Sequence, residues 1–283
     1  MKNGKTTFAR PRRRQVIKAL GGAALASVGA GWAFAQQCST LSSPSLTEGP
    51  YFVDEDLGRT DIRVDPSDGS IQPGYPLSLA INVSQLKDCA LTPLAGAYVD
   101  IWHCNASGVY SDIGAQSSTG KRFLRGYQPT DRHGNAYFLT VYPGWYTGRT
   151  VHIHAKIRIF NLDAQTYEFT SQFFFDDAFT DDVFKLSQYN TRGSRDTRNA
   201  NDGIYNGASN TGSITSASGS YLLPKLTKYE SWATAEAKLI CDLSLGSSPD
   251  DTGGGGAPGG PGGPGGTPPP GGTPPGTPPM RQG

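Results

Sequence analysis

Residues 151–159, VHIHAKIRI, restrict the fold of this chain more than any other stretch. They are rich in β-branched residues and are bounded upstream by Pro143, Gly144 and Gly148, so they read as a strand. Successive side chains of a strand point to opposite faces. His152 and His154 therefore share one face, and Val151, Ile153 and Ala155 the other. A rigid pair of imidazoles on one strand face is how β-proteins present nitrogen ligands to a metal. Imidazole suits zinc, copper, iron or nickel, so the pair does not choose the metal. The blander alternative is two polar residues on a wet face.

Similar segments recur along the chain. Residues 76–83 (PLSLAINV), 94–104 (LAGAYVDIWHC), 136–142 (AYFLTVY) and 168–175 (EFTSQFFF) read as strands, with turns such as 105–108 and 130–135 between them. Short strands at this spacing with Gly/Pro corners imply a mainly β protein. The expected architecture is an antiparallel β-sandwich with long loops and one or two short helices. The helix candidates are 227–240 (TKYESWATAEAKLI), on composition, and a shorter one over 177–186. Residues 190–210 are polar and rich in Gly, Asn and Arg, so a long surface loop is expected there. No internal repeat is present.

Both ends differ from the middle. Residues 1–35 carry seven of the 25 basic residues and no acid, followed by an apolar Ala/Gly-rich run and Ala33-Phe34-Ala35, an A-x-A cleavage signal. Cleavage there starts the mature chain at Gln36. Arg13-Arg14-Gln15-Val16-Ile17-Lys18 resembles a twin-arginine (Tat) signal, which implies the Tat export machinery as a partner and a periplasmic or secreted protein. The apolar run is too short and Gly-rich for a stable membrane anchor. Without residues 1–35 the chain has 18 basic against 24 acidic residues, a formal charge of −6, which argues against nucleic acid as a partner. Residues 247–283 are almost wholly Gly, Pro and Thr and cannot bury enough apolar surface to offset their backbone entropy, so a disordered tail is expected. Residues 36–246 remain as one domain.

Four cysteines, Cys38, Cys89, Cys104 and Cys241, are an even number in an exported protein and suggest two disulfides. Cys89–Cys104 and Cys38–Cys241 are the expected pairs. The alternative is four buried thiols, since a Tat substrate folds in a reducing compartment.

The four histidines are His103, His133, His152 and His154. His133 sits in a polar Asp-Arg-His-Gly-Asn turn and reads as solvated, and His103 is a weak ligand candidate. The tyrosines stand at corners: Tyr110 follows a Gly-containing turn and Tyr146 follows Pro-Gly-Trp. A phenolate is a hard oxygen anion, and a trivalent cation at bonding distance would ionise a phenol whose free pKa is about 10. Two phenolates and two imidazoles would suit Fe(III) and leave room for water or substrate. No GxSxG, P-loop or dinucleotide fingerprint is present.

Residues 100–111 (DIWHCNASGVYS), 123–128 (FLRGYQ), 142–154 (YPGWYTGRTVHIH) and 170–175 (TSQFFF), with Gly49-Pro50-Tyr51 before them, resemble the intradiol ring-cleavage dioxygenases in the right order. The resemblance implies a β-sandwich holding non-haem Fe(III) through Tyr110, Tyr146, His152 and His154. It implies a catechol substrate cleaved between its two hydroxyl-bearing carbons, with both atoms of O2 inserted to give a cis,cis-muconate. It makes Tyr146 the ligand displaced by substrate, Arg149 a cation near the ring, Gln172 a support behind the ligands and Tyr51 a wall of the pocket. The chain lacks room for the helical dimerisation segment of catechol 1,2-dioxygenases, and its 146–152 segment is shorter than in protocatechuate 3,4-dioxygenase. A non-catalytic catechol- or iron-binding β-sandwich is the competing expectation. A zinc or copper site on His152 and His154, with structural tyrosines, is the third.

Overall fold

The structure is a computed structural model describing residues 42–162, 164–207 and 218–245. The expected signal segment 1–35, Cys38 and the expected tail 247–283 lie outside the described residues. Two sheets form the domain. The first contains β1 (Pro76–Lys87), β2 (Ala90–Pro93), β5 (Asn135–Val141), β8 (Lys225–Lys228) and β9 (Ala233–Cys241). The second has the order β4 (Arg125–Pro129), β3 (Tyr98–Trp102), β6 (His152–Asn161), β7 (Ala164–Phe174), with antiparallel pairing throughout. In the first sheet β5 and β2 line one edge of β1, while β9 runs parallel along the other. Among the described strands that parallel pair departs from the expected antiparallel pairing.

The two-residue period explains the packing. Leu77, Leu79, Ile81 and Val83 of β1, and Ala136 and Phe138 of β5, are buried against Val99, Ile101, Ile153, Ala155, Ile157, Phe169 and Phe173 of the other sheet. Each fully buried aliphatic side chain contributes about 1.5–3 kcal/mol. Residues 227–240 are not a helix. Ala233, Ala235, Ala237, Leu239 and Cys241 are buried in alternation along β9, so a strand period lies beneath a helix-forming composition. The short helix expected near 177 is present as α1 (Asp177–Val183), capped by the Asp176 carboxylate, which accepts from the N–H groups of Ala178 and Phe179. No helix among the described residues is long and apolar enough to cross a membrane.

Neither expected disulfide forms. Cys89 is disulfide-bonded, whereas Cys104 and Cys241 are buried free thiols. Cys104 faces the Gly144 carbonyl at 3.5 Å, and Cys241 ends the buried row of β9. Burial pushes each thiol up to about 12, which keeps it protonated and unreactive.

The outer face of the second sheet is polar and covered. Direct register partners place Arg125, Trp102, His154 and Gln172 in one row across β4, β3, β6 and β7. Lys156 and Arg158 continue the His152/His154 face of β6. A strap formed by residues 44–57 crosses this face. Gln172 Nε2 donates to the Thr47 carbonyl at 2.8 Å, Lys156 pairs with Glu48, and Arg158 pairs with Asp54 at 2.9 Å. The strap carries Tyr51 and Phe52 over the site.

Candidate metal centre

His152 and His154 are each 2% exposed, and their Nε2 atoms stand 3.0 Å apart. Two loops bring phenols to the same point. Tyr110 Oη is 3.4 Å from His152 Nε2, and Tyr146 Oη is 3.2 Å from it. The Tyr110 loop is shaped by Asn105, whose Oδ1 accepts from the N–H groups of Ser107 and Val109, and by Gly108 at φ +77°. Glycine is required because a Cβ at Gly108 would lie 2.1 Å from the Trp145 carbonyl oxygen. A Cβ at Gly144 would likewise meet the Asn105 and Ala106 carbonyls at 2.5 Å. These glycines let the loop bearing Tyr110 rest directly on the loop bearing Tyr146.

The proton inventory sets the character of the cluster. His152 Nδ1 lies 2.7 Å from the Thr150 carbonyl, an acceptor only, so Nδ1 carries the proton and Nε2 presents a lone pair. Burial, aided by the Arg149 charge, pushes His152 down to about 3. His154 is driven well below the usual range by burial and then by His152 and Arg149. Tyr110 and Tyr146 are raised, by burial foremost, and for Tyr110 by the neighbouring phenol as well. The protein thus gathers two neutral imidazoles and two phenols in a dry pocket.

That donor set fits a hard trivalent cation. Imidazole lone pairs are available, and each phenol becomes an anionic ligand once a cation offsets the burial cost. Among the described residues no group of three or more His, Cys, Asp or Glu is placed to hold a metal, so a centre here must recruit the phenols. This disfavours a zinc site of the usual Cys/His/carboxylate kind.

Arg149 lies beside the cluster. Its Nε donates to Asp202 Oδ2 at 2.9 Å and its Nη2 to Gln172 Oε1 at 2.6 Å. Tyr51 is half-buried, with its ring centroid 4.6 Å from Tyr110 and 6.0 Å from Tyr146. All the expected site residues therefore meet at one place. His103 is not among them. Its Nδ1 faces the adjacent Cys104 carbonyl at 2.8 Å and its Nε2 the Thr140 hydroxyl at 2.7 Å, so both nitrogens are occupied and the second links the two sheets. His133 lies in an exposed turn, as expected.

Two contributors were not legible in the sequence. Trp102 stacks on His154, and Asp202 holds Arg149 from behind. The expected surface loop 190–210 is in part a wall of the site: Asn199 and Asp202 are buried, and Asn199 Oδ1 accepts from the Thr150 hydroxyl at 2.7 Å. In this polar, aperiodic stretch nothing in the sequence sets buried Asp202 apart from Asp196.

The dioxygenase family model Dioxygenase_C matches residues 47–201, more than half of the chain. The chain belongs to the intradiol ring-cleavage dioxygenase family. An intradiol ring-cleavage dioxygenase from Tetranychus urticae is 29% identical, with a TM-score of 0.60 over 74% of this chain and 97% of that one. Catechol 1,2-dioxygenase from Pseudomonas arvilla C-1 shares the fold at 22% identity, with a TM-score of 0.50 over 80% of this chain and 70% of that one. The dioxygenase domain of a dioxygenase carbohydrate-binding protein fusion from Streptomyces sp. SirexAA-E does so at 24% identity, with a TM-score of 0.50 over 71% and 99%. No curated protein matches the sequence. The family match contains Tyr110, Tyr146, Arg149, His152, His154 and Gln172, and stops one residue before Asp202.

Proposed function

We propose that this intradiol dioxygenase is an Fe(III) enzyme that cleaves a catechol between its two hydroxyl-bearing carbons with O2, giving a cis,cis-muconate. The observation that carries this reading is the approach of Tyr110 Oη, Tyr146 Oη and His154 Nε2 to within 3.4 Å of His152 Nε2. Tyr110, Tyr146, His152 and His154 are the proposed ligands. Ferric iron would supply Lewis acidity and a template for the two catechol oxygens.

The residues divide the remaining work by position. Tyr110 is fully buried and its N–H donates to Gln116 Oε1 at 2.6 Å, so it is the fixed phenol. Tyr146 is half-buried on a turn closed by its bridge to Arg149, so it is the phenol free to swing out when substrate arrives. Bound to the cation it would be a phenolate, and on release its Oη would take one catechol proton and become the neutral phenol. Arg149, held by Asp202 and Gln172, places a fixed cation beside the ring, where it stabilises developing negative charge in a dry pocket. Tyr51 and Phe52, on the strap, keep bulk water from that pocket.

The family relationship and the donor chemistry support this reading; a visible spectrum tests it. A reddish protein whose band shifts with anaerobic catechol and returns on O2 admission, with release of a muconate, is the expected result. A coloured protein that binds catechol and ignores O2 would instead be the non-catalytic binding protein. Export through the Tat machinery is part of the proposal and rests on Arg13 and Arg14. Replacing both by lysine keeps their charge and should trap the precursor in the cytoplasm; unchanged export would refute Tat dependence.

A further inference from the structure

We propose that Asp202 is a positioning residue of the site. Its buried carboxylate fixes Arg149 and the Thr150 peptide together, and supplies the counter-charge that lets a guanidinium stand next to a trivalent cation. The inference rests on the proposed ferric centre. Asp202 is 0% exposed and comes from the stretch after α1, outside both sheets. One of its oxygens, Oδ2, accepts from Arg149 Nε at 2.9 Å and from the Thr150 N–H at 2.8 Å. The other, Oδ1, accepts from the Tyr205 N–H at 2.8 Å. Thr150 matters because its carbonyl oxygen, in the next peptide unit, holds His152 Nδ1 at 2.7 Å. One carboxylate thus braces the guanidinium and, through the backbone of Thr150, the imidazole.

Charge supplies the second half of the argument. Arg149 is three residues before His152 and bonds to Gln172, the register partner of His154 on β7. A bare guanidinium here would repel any cation held by the four donors. Asp202 is the acid that cancels it, and the ion pair is only 15% and 0% exposed on its two side chains, so water screens it little. Its carboxyl is held below the ordinary range: burial alone would raise it, and the Arg149 charge with the Tyr205 and Thr150 N–H groups more than offsets that.

A double-mutant cycle tests the proposal. Full-length wild type, D202N, R149M and the double variant are loaded with ferric iron, and separately with redox-silent gallium(III). Release to a competing chelator is then measured. D202N, nearly isosteric, should weaken retention of both ions by about tenfold or more when Arg149 is present. It should cost several-fold less in the R149M background, where only the bracing of Thr150 is lost and no cation needs cancelling. R149M alone should retain iron at least as well as wild type while losing turnover. Equal losses from D202N in both backgrounds, or iron loss from R149M, would overturn the proposal. Should D202N fail to fold, the R149M arm still decides. A wild type that binds neither ion defeats the ferric-centre reading itself, a result distinct from either failure above.

Discussion

Trp102 lies flat on His154, with ring centroids 4.8 Å apart and planes 8° from parallel. The two candidate histidine ligands are thus oriented by different means. His152 is steered by its Nδ1–H bond to the Thr150 carbonyl, whereas His154 Nδ1 has no hydrogen-bond partner among the described residues. For His154 the indole, backed by Phe52 at 4.9 Å, fixes the ring plane. Trp102→Leu should therefore release the imidazole and lower iron retention about tenfold, whereas Trp102→Phe, still able to stack, should lose less. Thermal unfolding of the iron-free forms separates this from general destabilisation: both variants lose buried area, and only the leucine form should show the disproportionate loss of metal. Equal retention in the two would mean that the stack does not orient His154.

The two tyrosines differ in burial, and their phenylalanine variants should differ in kind. Tyr110→Phe removes an oxygen from a fully buried position and should reduce iron binding most. Tyr146→Phe leaves three donors and a half-buried turn, so it should bind iron more weakly, shift the visible band and lose about 10²-fold or more in turnover through the missing proton acceptor. Unchanged iron content and turnover in Tyr146→Phe would remove it from the ligand set.

The sandwich and the His152/His154 pair were legible because their signals are local, whereas the places of Arg149, Gln172 and Tyr51 came from the family resemblance. The period of two in 151–159 gives both the inward Ile153 and the outward His152 and His154. Composition misled on 227–240, where Ala, Glu and Lys favour a helix, yet the period of two is present from Ala233 and pairing with β1 selects a strand whose small buried alanines lie beside Leu77, Leu79 and Ile81. Asp202, the Trp102–His154 stack and the cysteine pairing were not legible. Each depends on which segments the tertiary fold brings together, as with Cys104, which is drawn to Gly144 rather than to another cysteine.

His103 predicts a pH dependence of stability independent of any metal. Burial, helped by the Arg125 charge, lowers its pKa to about 4 against a bond to the Cys104 carbonyl that works the other way; in the unfolded chain it is about 6.5. Between those values the unfolded state binds the extra proton. Stability is therefore present above pH 6.5 and is lost as pH falls towards 4, by up to about 3 kcal/mol for this group. Urea unfolding of the iron-free protein should show a lower midpoint at pH 4.5 than at pH 7, and His103→Gln should flatten the slope. An equally steep slope in that variant would assign the effect to other groups.

Gly108 and Gly96 share a left-handed backbone, φ +77° and +76°, but not an environment. A Cβ at Gly96 would meet nothing within 4 Å, whereas one at Gly108 would lie 2.1 Å from the Trp145 carbonyl oxygen. Gly96→Ala should therefore cost only the conformational penalty, about 1–2 kcal/mol, and leave the site intact. Gly108→Ala carries that penalty and must also push the Tyr110 loop off the Tyr146 loop. Its destabilisation should be larger, and iron retention should fall with it, because Tyr110 Oη and Tyr146 Oη can no longer both reach His152 Nε2. Urea unfolding and metal analysis of the two variants, side by side, read the two contributions separately. Equal stability loss, with iron retained in both, would mean that the loop contact does not set the spacing of the phenols.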